Sequence, residues 1–427
     1  MLIRIKGARI LDPGNIDEKK DIFIKDHLIH DIVDPEYKNM EADVIIIDAT
    51  GKILVPGLID IHVHLREPGQ EYKETIDTGL TAAARGGFTA VCCMPNTNPV
   101  NDNSQVTKYI IQRGKEAGFS RVYPAGAITQ GLKGEVLSEI HDMKQAGIVA
   151  VTDDGKPVEN SNLMRRALEY CKGLNIPVLV HAEDTSLADG GSMNEGPYAT
   201  FRGIKGIPNA AETVMVVRDI ALSELTKAPV HFCHISTKES VEAIRQAKKR
   251  GVKITCETAP HYFTLTDEDV KDYDTNFKMN PPLRSEEDRQ AVIEGLSDGT
   301  IDMIASDHAP HSIIEKDVEF DRAAFGIIGL ETSLSLSLKL VHDGKLTMEN
   351  LVQKMSKQPA TLLGINNDIR KGNIADLTII DPDDEYVIDP STFRSKSCNS
   401  PFSGMKVRGN AVLTMVNGRV VYQRGIQ

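Results

Sequence analysis

The chain has 427 residues, 41% hydrophobic and 26% charged. That is the balance of a globular protein with one large domain and a smaller one, and it excludes a disordered chain. A net charge of −12 without any basic cluster argues against nucleic acid as a partner, and no apolar run is long enough to span a membrane. The six cysteines are scattered and form no CxxC pair, and the N-terminus lacks the basic and apolar regions of a secretory signal, so a reducing, cytoplasmic setting is expected.

In chain order, residues 3–10, 21–24 and 44–47 read as short strands separated by turn residues such as Pro13-Gly14-Asn15. From residue 53 the pattern changes. Apolar strand-like runs at 54–65, 88–94, 121–128, 147–152, 177–181, 229–235, 253–258 and 302–306 alternate with helical stretches such as 75–85, 160–171, 210–225 and 238–250. Such alternation implies a parallel sheet, because parallel neighbours need crossover connections. Eight units over roughly 300 residues are the size of a (β/α)8 TIM barrel. An open doubly wound sheet is the rival, but no GxGxxG follows the first strand. The last sixty residues return to strands at 375–380, 411–416 and 419–422, with a hairpin signal at Asn417-Gly418. The expected fold class is therefore α/β, a (β/α)8 barrel over 54–364. Residues 1–53 and 365–427 build a composite β-sandwich domain from both termini.

A barrel carries its chemistry at the C-terminal ends of its strands, and ligand-type residues cluster there. Strand 1 ends in Asp60-Ile61-His62-Val63-His64, where alternation points His62 and His64 the same way, as two ligands of one ion require. His181, His234 and Asp307 end three further strands, and Asp153-Asp154 ends a fourth. Imidazoles with carboxylates suit Zn2+ or a similar divalent ion. Six donors exceed what a lone tetrahedral zinc uses, so two ions bridged by a carboxylate and a hydroxide are expected, with Asp307 placed to take and return a proton.

The run Asp60-Ile61-His62-Val63-His64-Leu65-Arg66-Glu67-Pro68-Gly69, together with Met94-Pro95-Asn96-Thr97, Asn280-Pro281-Pro282-Leu283-Arg284 and Ser306-Asp307-His308-Ala309-Pro310-His311, resembles the dihydroorotase family of the amidohydrolase superfamily, in its longer bacterial class. The resemblance covers essentially the whole chain. It implies that His62 and His64 hold one zinc and His181 and His234 a second, with Asp307 as ligand and general acid/base. It further implies that Arg66, Asn96 and His311 hold the substrate's carboxylate beside His64, while Asn280 and the backbone at Phe325-Gly326 contact the dihydropyrimidine ring. Many relatives bridge their metals with a carbamylated lysine on strand 4. Here 147–152 offers none, and Asp154 takes that role by analogy with members that use aspartate, with Asp153 as its rival.

The function implied is the interconversion of N-carbamoyl-L-aspartate and L-dihydroorotate in pyrimidine biosynthesis. A hydantoinase- or allantoinase-type cyclic amidohydrolase, or a non-catalytic paralogue scaffolding aspartate carbamoyltransferase, are the alternatives. The expected partner is a small molecule, with a homodimer and an association with aspartate carbamoyltransferase as further expectations. Other histidines read more plainly: His261 and His308 as structural residues, His231 as packing on the face opposite His234, and His27, His30, His141 and His342 as surface residues. Cys92 and Cys93 read as buried hydrophobes and 316–321 as a solvated charged stretch. Residues 189–209 read as an excursion loop, with a lid as the minority reading.

Overall fold

The structure, a computed structural model, describes residues 2–35 and 44–425; residues 36–43 of the expected terminal domain lie outside it. Eight strands form one parallel sheet in chain order: β1 (Leu58–Val63), β2 (Phe88–Cys93), β3 (Arg121–Gly126), β4 (Ala150–Val151), β5 (Val178–Val180), β6 (Val230–Phe232), β7 (Ile254–Thr258) and β8 (Met303–Ile304). The sheet turns back on itself where Val63, ending β1, bridges in parallel to His308, just past β8, and His64 N–H donates to the His308 carbonyl at 2.8 Å. The fold is thus the (β/α)8 barrel. Helices including Ile76–Arg85, Ser161–Leu174, Ala210–Thr226, Lys238–Lys249 and Glu286–Asp298 supply the crossovers. Small residues contributed by successive strands (Ala90, Cys92, Ala125, Ala150, Cys233 and Ala305) form one buried cluster with Leu179 and Met303. Among the described residues no helix is long and apolar enough to cross a membrane.

The run expected as one strand over 54–65 is two. Ile53–Pro56 and β1 flank Gly57 and belong to different sheets, and Leu54 to Pro56 pair antiparallel with Leu377 to Ile379. At Gly57 an added Cβ would lie 2.0 Å from Thr89 Oγ1, so only glycine lets the chain cross from one sheet to the next there. The six-stranded sheet joins the two ends of the chain. Its order runs Arg419–Gln423, Lys406–Val416, Leu377–Val387, Ile53–Pro56, Arg9–Asp12 and Ile16–Lys19. A four-stranded sheet of N-terminal strands shares with it a core containing Ile5, Ile22, Leu54, Ile379 and Leu413. Asn417 and Gly418 both have positive φ (53° and 71°), as the tight hairpin turn between the last two strands requires.

Two expectations of irregular or solvated chain are corrected. Residues 189–209 carry two short paired strands, Met193–Asn194 and Gly206–Ile207, around a helix at Pro197–Arg202. The segment is tied down through Asn194, which donates to Asp267 (2.8 Å) and accepts from Arg284 (3.1 Å), long-range partners that no local pattern reveals. Within 316–321, Lys316 and Phe320 are buried; the Lys316 ammonium donates to the carbonyls of Ala324 (2.8 Å) and Lys278 (3.2 Å), which replace water as its acceptors.

The turn after His234 is fixed from a neighbouring helix. Glu212, buried on Ala210–Thr226, accepts from the backbone N–H and hydroxyl of Ser236 and of Thr237, and Thr237 in turn caps Lys238–Lys249. Replacing Glu212 by Ala strands these buried donors and is expected to cost about 3 kcal/mol, read as a lower urea midpoint than that of the parent chain. An unchanged midpoint would mean that the turn is secured by other contacts.

Candidate metal centre and active site

Three residues that closely follow barrel strands adopt left-handed backbone: Arg66 (φ 62°), His234 (φ 34°) and Asp307 (φ 47°). Non-glycine residues rarely take such angles, and they persist only where the surroundings impose them. At Asp307 the constraint is visible: the buried Asp60 carboxylate accepts the N–H groups of Ser306 and of His62, tying the ends of β8 and β1 together. At His234 the turn breaks strict alternation, so His231 and His234 both reach the barrel interior, against the expectation of opposite faces. His231 bonds to Thr255 Oγ1 (2.8 Å) and Glu257 Oε2 (3.1 Å).

The predicted ligands converge. Ligand-type atoms of His62, His64 and Asp307 lie within 4.8 Å of one another, and so do those of His62, Asp154 and His234. Asp154 is at the centre: its Oδ1 is 3.3 Å from His62 Nε2, 3.5 Å from His181 Nδ1 and 3.6 Å from His234 Nε2, and its Oδ2 is 3.5 Å from His64 Nε2. Asp153 is directed elsewhere, accepting from the backbone of Ile128 (2.7 Å) and Thr129 (3.0 Å). The donor set fits a cation on two observations. His62 Nε2 and Asp154 Oδ1 are buried without a hydrogen-bond partner, and His181 Nδ1 faces His234 Nε2 at 2.8 Å, two ring nitrogens that need a proton or an ion between them. Buried polar atoms left unpaired are costly unless a ligand meets them.

Surrounding groups set which nitrogen points inward. Glu257 Oε1 lies 2.8 Å from His62 Nδ1, Asn96 Oδ1 lies 2.9 Å from His64 Nδ1, and Glu183 Oε2 lies 3.2 Å from His181 Nε2. Each acceptor engages one ring nitrogen and turns the other toward the centre.

Apart from His62, which is buried beside them, all the predicted site residues line one cavity of about 200 Å³: His64, Arg66, Asn96, Asp154, His181, His234, Asn280, Asp307, His311, Phe325 and Gly326. Arg66 donates from Nε to the Pro310 carbonyl (3.1 Å), with Nη2 3.3 Å from His311 Nε2. Burial lowers the guanidinium to about 10, still charged at neutral pH. Burial, with Arg66, Lys73 and Lys316 nearby, drives His311 down to about 2, so this imidazole is neutral and its Nε2 sits 2.8 Å from the Phe325 carbonyl. Arg66 is thus a buried cation whose hydrogen-bond partners are uncharged, a setting that selects an anionic group. Gly326 has φ 128°, and a Cβ there would meet that of Ala309 at 2.6 Å, so the Gly326 backbone packs directly on the Ala309 side chain, and Ala309 N–H donates to the Ile327 carbonyl at 2.7 Å. Asn280 donates to both oxygens of Glu183 (3.1 Å each).

A (β/α)8 barrel with an imidazole–carboxylate centre at its C-terminal rim defines the amidohydrolase class. A family model described as "Dihydro-orotase-like" matches residues 51–240. Over 426 residues the chain is 66% identical to the dihydroorotase of Desulforapulum autotrophicum, covering 100% of both chains. It is 55% identical to that of Geobacter metallireducens, covering 99% of this chain and 100% of the relative. Among solved structures, the L-hydantoinase (dihydropyrimidinase) of Arthrobacter aurescens matches with a TM-score of 0.88 at 30% identity, over 99% of this chain and 96% of the other. The chain belongs to the dihydroorotase family.

Sequence reasoning missed Glu257, Asp60 and Glu183 as groups that orient the centre. A signal existed for two of them: Glu257 is the one carboxylate in the buried strand β7, and Asp60 stands two residues before His62. His308 is the hydrogen-bonded support expected, with Nε2 3.3 Å from Glu74 and Nδ1 accepting from Gly329 N–H. His261 is buried against Tyr262 with its Nε2 unpartnered. Replacing Glu257 by Ala frees the His62 ring and is expected to weaken metal retention about ten- to a hundredfold, measured by chelator competition. Unaltered retention would show that His62 is oriented without it.

Proposed function

We infer that the chain catalyses the reversible cyclisation of N-carbamoyl-L-aspartate to L-dihydroorotate and water, a step of pyrimidine biosynthesis. Full-length identity to dihydroorotases supports this reading. The observation that carries it is a buried Arg66, whose hydrogen-bond partners are uncharged, lining the same small cavity as the imidazole–carboxylate centre.

We propose two zinc ions, of which His62 and His64 would hold the first and His181 and His234 the second, with Asp154 and Asp307 as the carboxylates of the set. When bound, they supply Lewis-acid polarisation of the ring amide carbonyl and a water acidic enough to ionise near neutral pH. The chain's own residues do the remainder. Arg66, Asn96 and His311 grip the substrate carboxylate, with Arg66 providing the charge-assisted fork. Asn280 and the Phe325-Gly326 backbone, which line the same cavity, fix the ring. In the hydrolytic direction Asp307 accepts the proton of the attacking water as its oxygen bonds to the carbonyl carbon. The same carboxyl then delivers that proton to the departing ring nitrogen as the C–N bond breaks, which requires one group to reach both atoms. Run backwards, the ureido nitrogen attacks the carboxylate carbon and water leaves. Net negative charge on the protein does not oppose anion binding, because the local field around Arg66 decides it. The homodimer and the association with aspartate carbamoyltransferase carry over from the resemblance alone; light scattering of the purified chain, with and without that enzyme, reads both.

Purified protein is expected to hydrolyse dihydroorotate in preference to hydantoin and allantoin; a preference for hydantoin would favour the alternative ureide hydrolase. Exhaustive chelation is expected to abolish turnover and Zn2+ to restore it, whereas full activity in the chelated, metal-free chain would end the two-zinc reading. Replacing Arg66 by Ala leaves the substrate carboxylate unpaired in a buried site and should lower kcat/KM by about a hundredfold or more. Normal turnover by that variant would refute the assigned substrate orientation.

A further inference from the structure

Asn399 comes from none of the barrel's strand–helix repeats. It lies between Leu377–Val387 and Lys406–Val416, the two long C-terminal strands of the six-stranded sheet. Yet its buried side chain bonds only to the main chain of the barrel rim: Nδ2 donates to the carbonyls of Ala309 and Gly326, both at 3.1 Å, and Oδ1 accepts from His311 N–H at 3.1 Å. Its own carbonyl accepts from Ile328 N–H at 3.0 Å. One residue therefore joins the segment that bears His311 to the segment that bears Phe325 and Gly326. Its surroundings hold it in place. The hydroxyl of Ser395 and the N–H of Lys396 bond to the buried Glu74, Ser397 donates to the Lys73 carbonyl, and Phe402 is buried.

We propose that Asn399 is a positioning residue for the carboxylate-binding side of the substrate pocket, acting through the backbone of 309–311 and 326–328. The proposal rests on the assignment of His311 and Phe325-Gly326 to substrate. An amide is the group this place requires. Two carbonyls face its two donors and one N–H faces its acceptor, so all three polar bonds are used. Aspartate keeps the acceptor but presents a second oxygen to two carbonyls, pushing the loops apart. Two further contacts depend on the same loop positions: His311 Nε2 to the Phe325 carbonyl, and Arg66 Nε to the Pro310 carbonyl. A displacement of the 309–311 segment disturbs both anion-binding side chains and leaves the imidazole–carboxylate centre with its own supports, Asp60, Glu257 and Glu183.

The test compares Asn399→Asp with Arg66→Ala and the parent chain, all full length and zinc-loaded, for dihydroorotate hydrolysis and zinc content. The expected result for Asn399→Asp is a KM raised about tenfold or more, with kcat within about threefold and zinc per chain unchanged. A fall in kcat together with lost zinc, or a KM equal to the parent's, overturns the positioning role. A parent chain that does not turn over dihydroorotate fails the functional reading instead, and a raised KM in Arg66→Ala with a normal one in Asn399→Asp fails the positioning role alone. Should Asn399→Asp not fold, hydrogen exchange of the parent chain decides. Dihydroorotate is expected to slow exchange in peptides covering 309–311, 326–328 and 396–402 together, and protection of the first two without the third overturns the proposal.

Discussion

Two carboxylates and four imidazoles buried within one cavity wall are an unfavourable arrangement unless something positive meets them. Asp154 touches four imidazoles and Asp307 two, while His62 Nε2 and Asp154 Oδ1 have no hydrogen-bond partner. Much of the surrounding structure serves to keep these lone pairs converging. Asp60 ties the ends of β1 and β8, Glu257 and Asn96 hold His62 in β1 and His64 just past it, and Glu212 secures the turn after His234. These are buried acceptors matched to specific donors, so the cost of burying them is offset by hydrogen bonds and the ligand atoms stay free.

Toward Arg66 and His311 the cavity changes character. Arg66 is cationic, His311 is kept neutral by burial and by its cationic neighbours, and the rest of that wall is largely backbone and amide. The site therefore separates two tasks: an electron-rich side that demands cations, and an electron-poor side that accepts an anionic substrate group. The left-handed turns at Arg66 and Asp307 bring the two sides within one small cavity. The terminal sheets are not bystanders, because their C-terminal connection supplies Asn399 and the contacts to Glu74, so the segments bearing His311 and Gly326 lean on chain far from the barrel's repeats.

Where the sequence could be read, local pattern sufficed. Alternating apolar runs and helices announced the barrel, and histidines and aspartates at strand ends announced the centre. Asp153 and Asp154 could not be told apart, because both lie past the end of the apolar run at 147–152, where alternation no longer applies; the backbone of Ile128 and Thr129, which engages Asp153, separates them. His231 and His234 were assigned to opposite faces because alternation holds only inside a strand, and His234 lies past the end of β6. The break at Gly57 hid inside a continuous apolar run, since a strand leaving one sheet for another is equally apolar on both sides. Lys316 looked solvated because its acceptors are carbonyls supplied by residues 278 and 324.

By itself, then, the sequence determined the succession of elements, the residue types at the strand ends and, through motif resemblance, the family. Each of those is a property of neighbours along the chain. Only the tertiary structure decided which aspartate faces the imidazoles, which carboxylates orient them, and that Asn399 joins two loops on the substrate side. Those depend on distances between residues tens to hundreds of positions apart, and hydrogen-bond partners at such separations leave no periodicity to read.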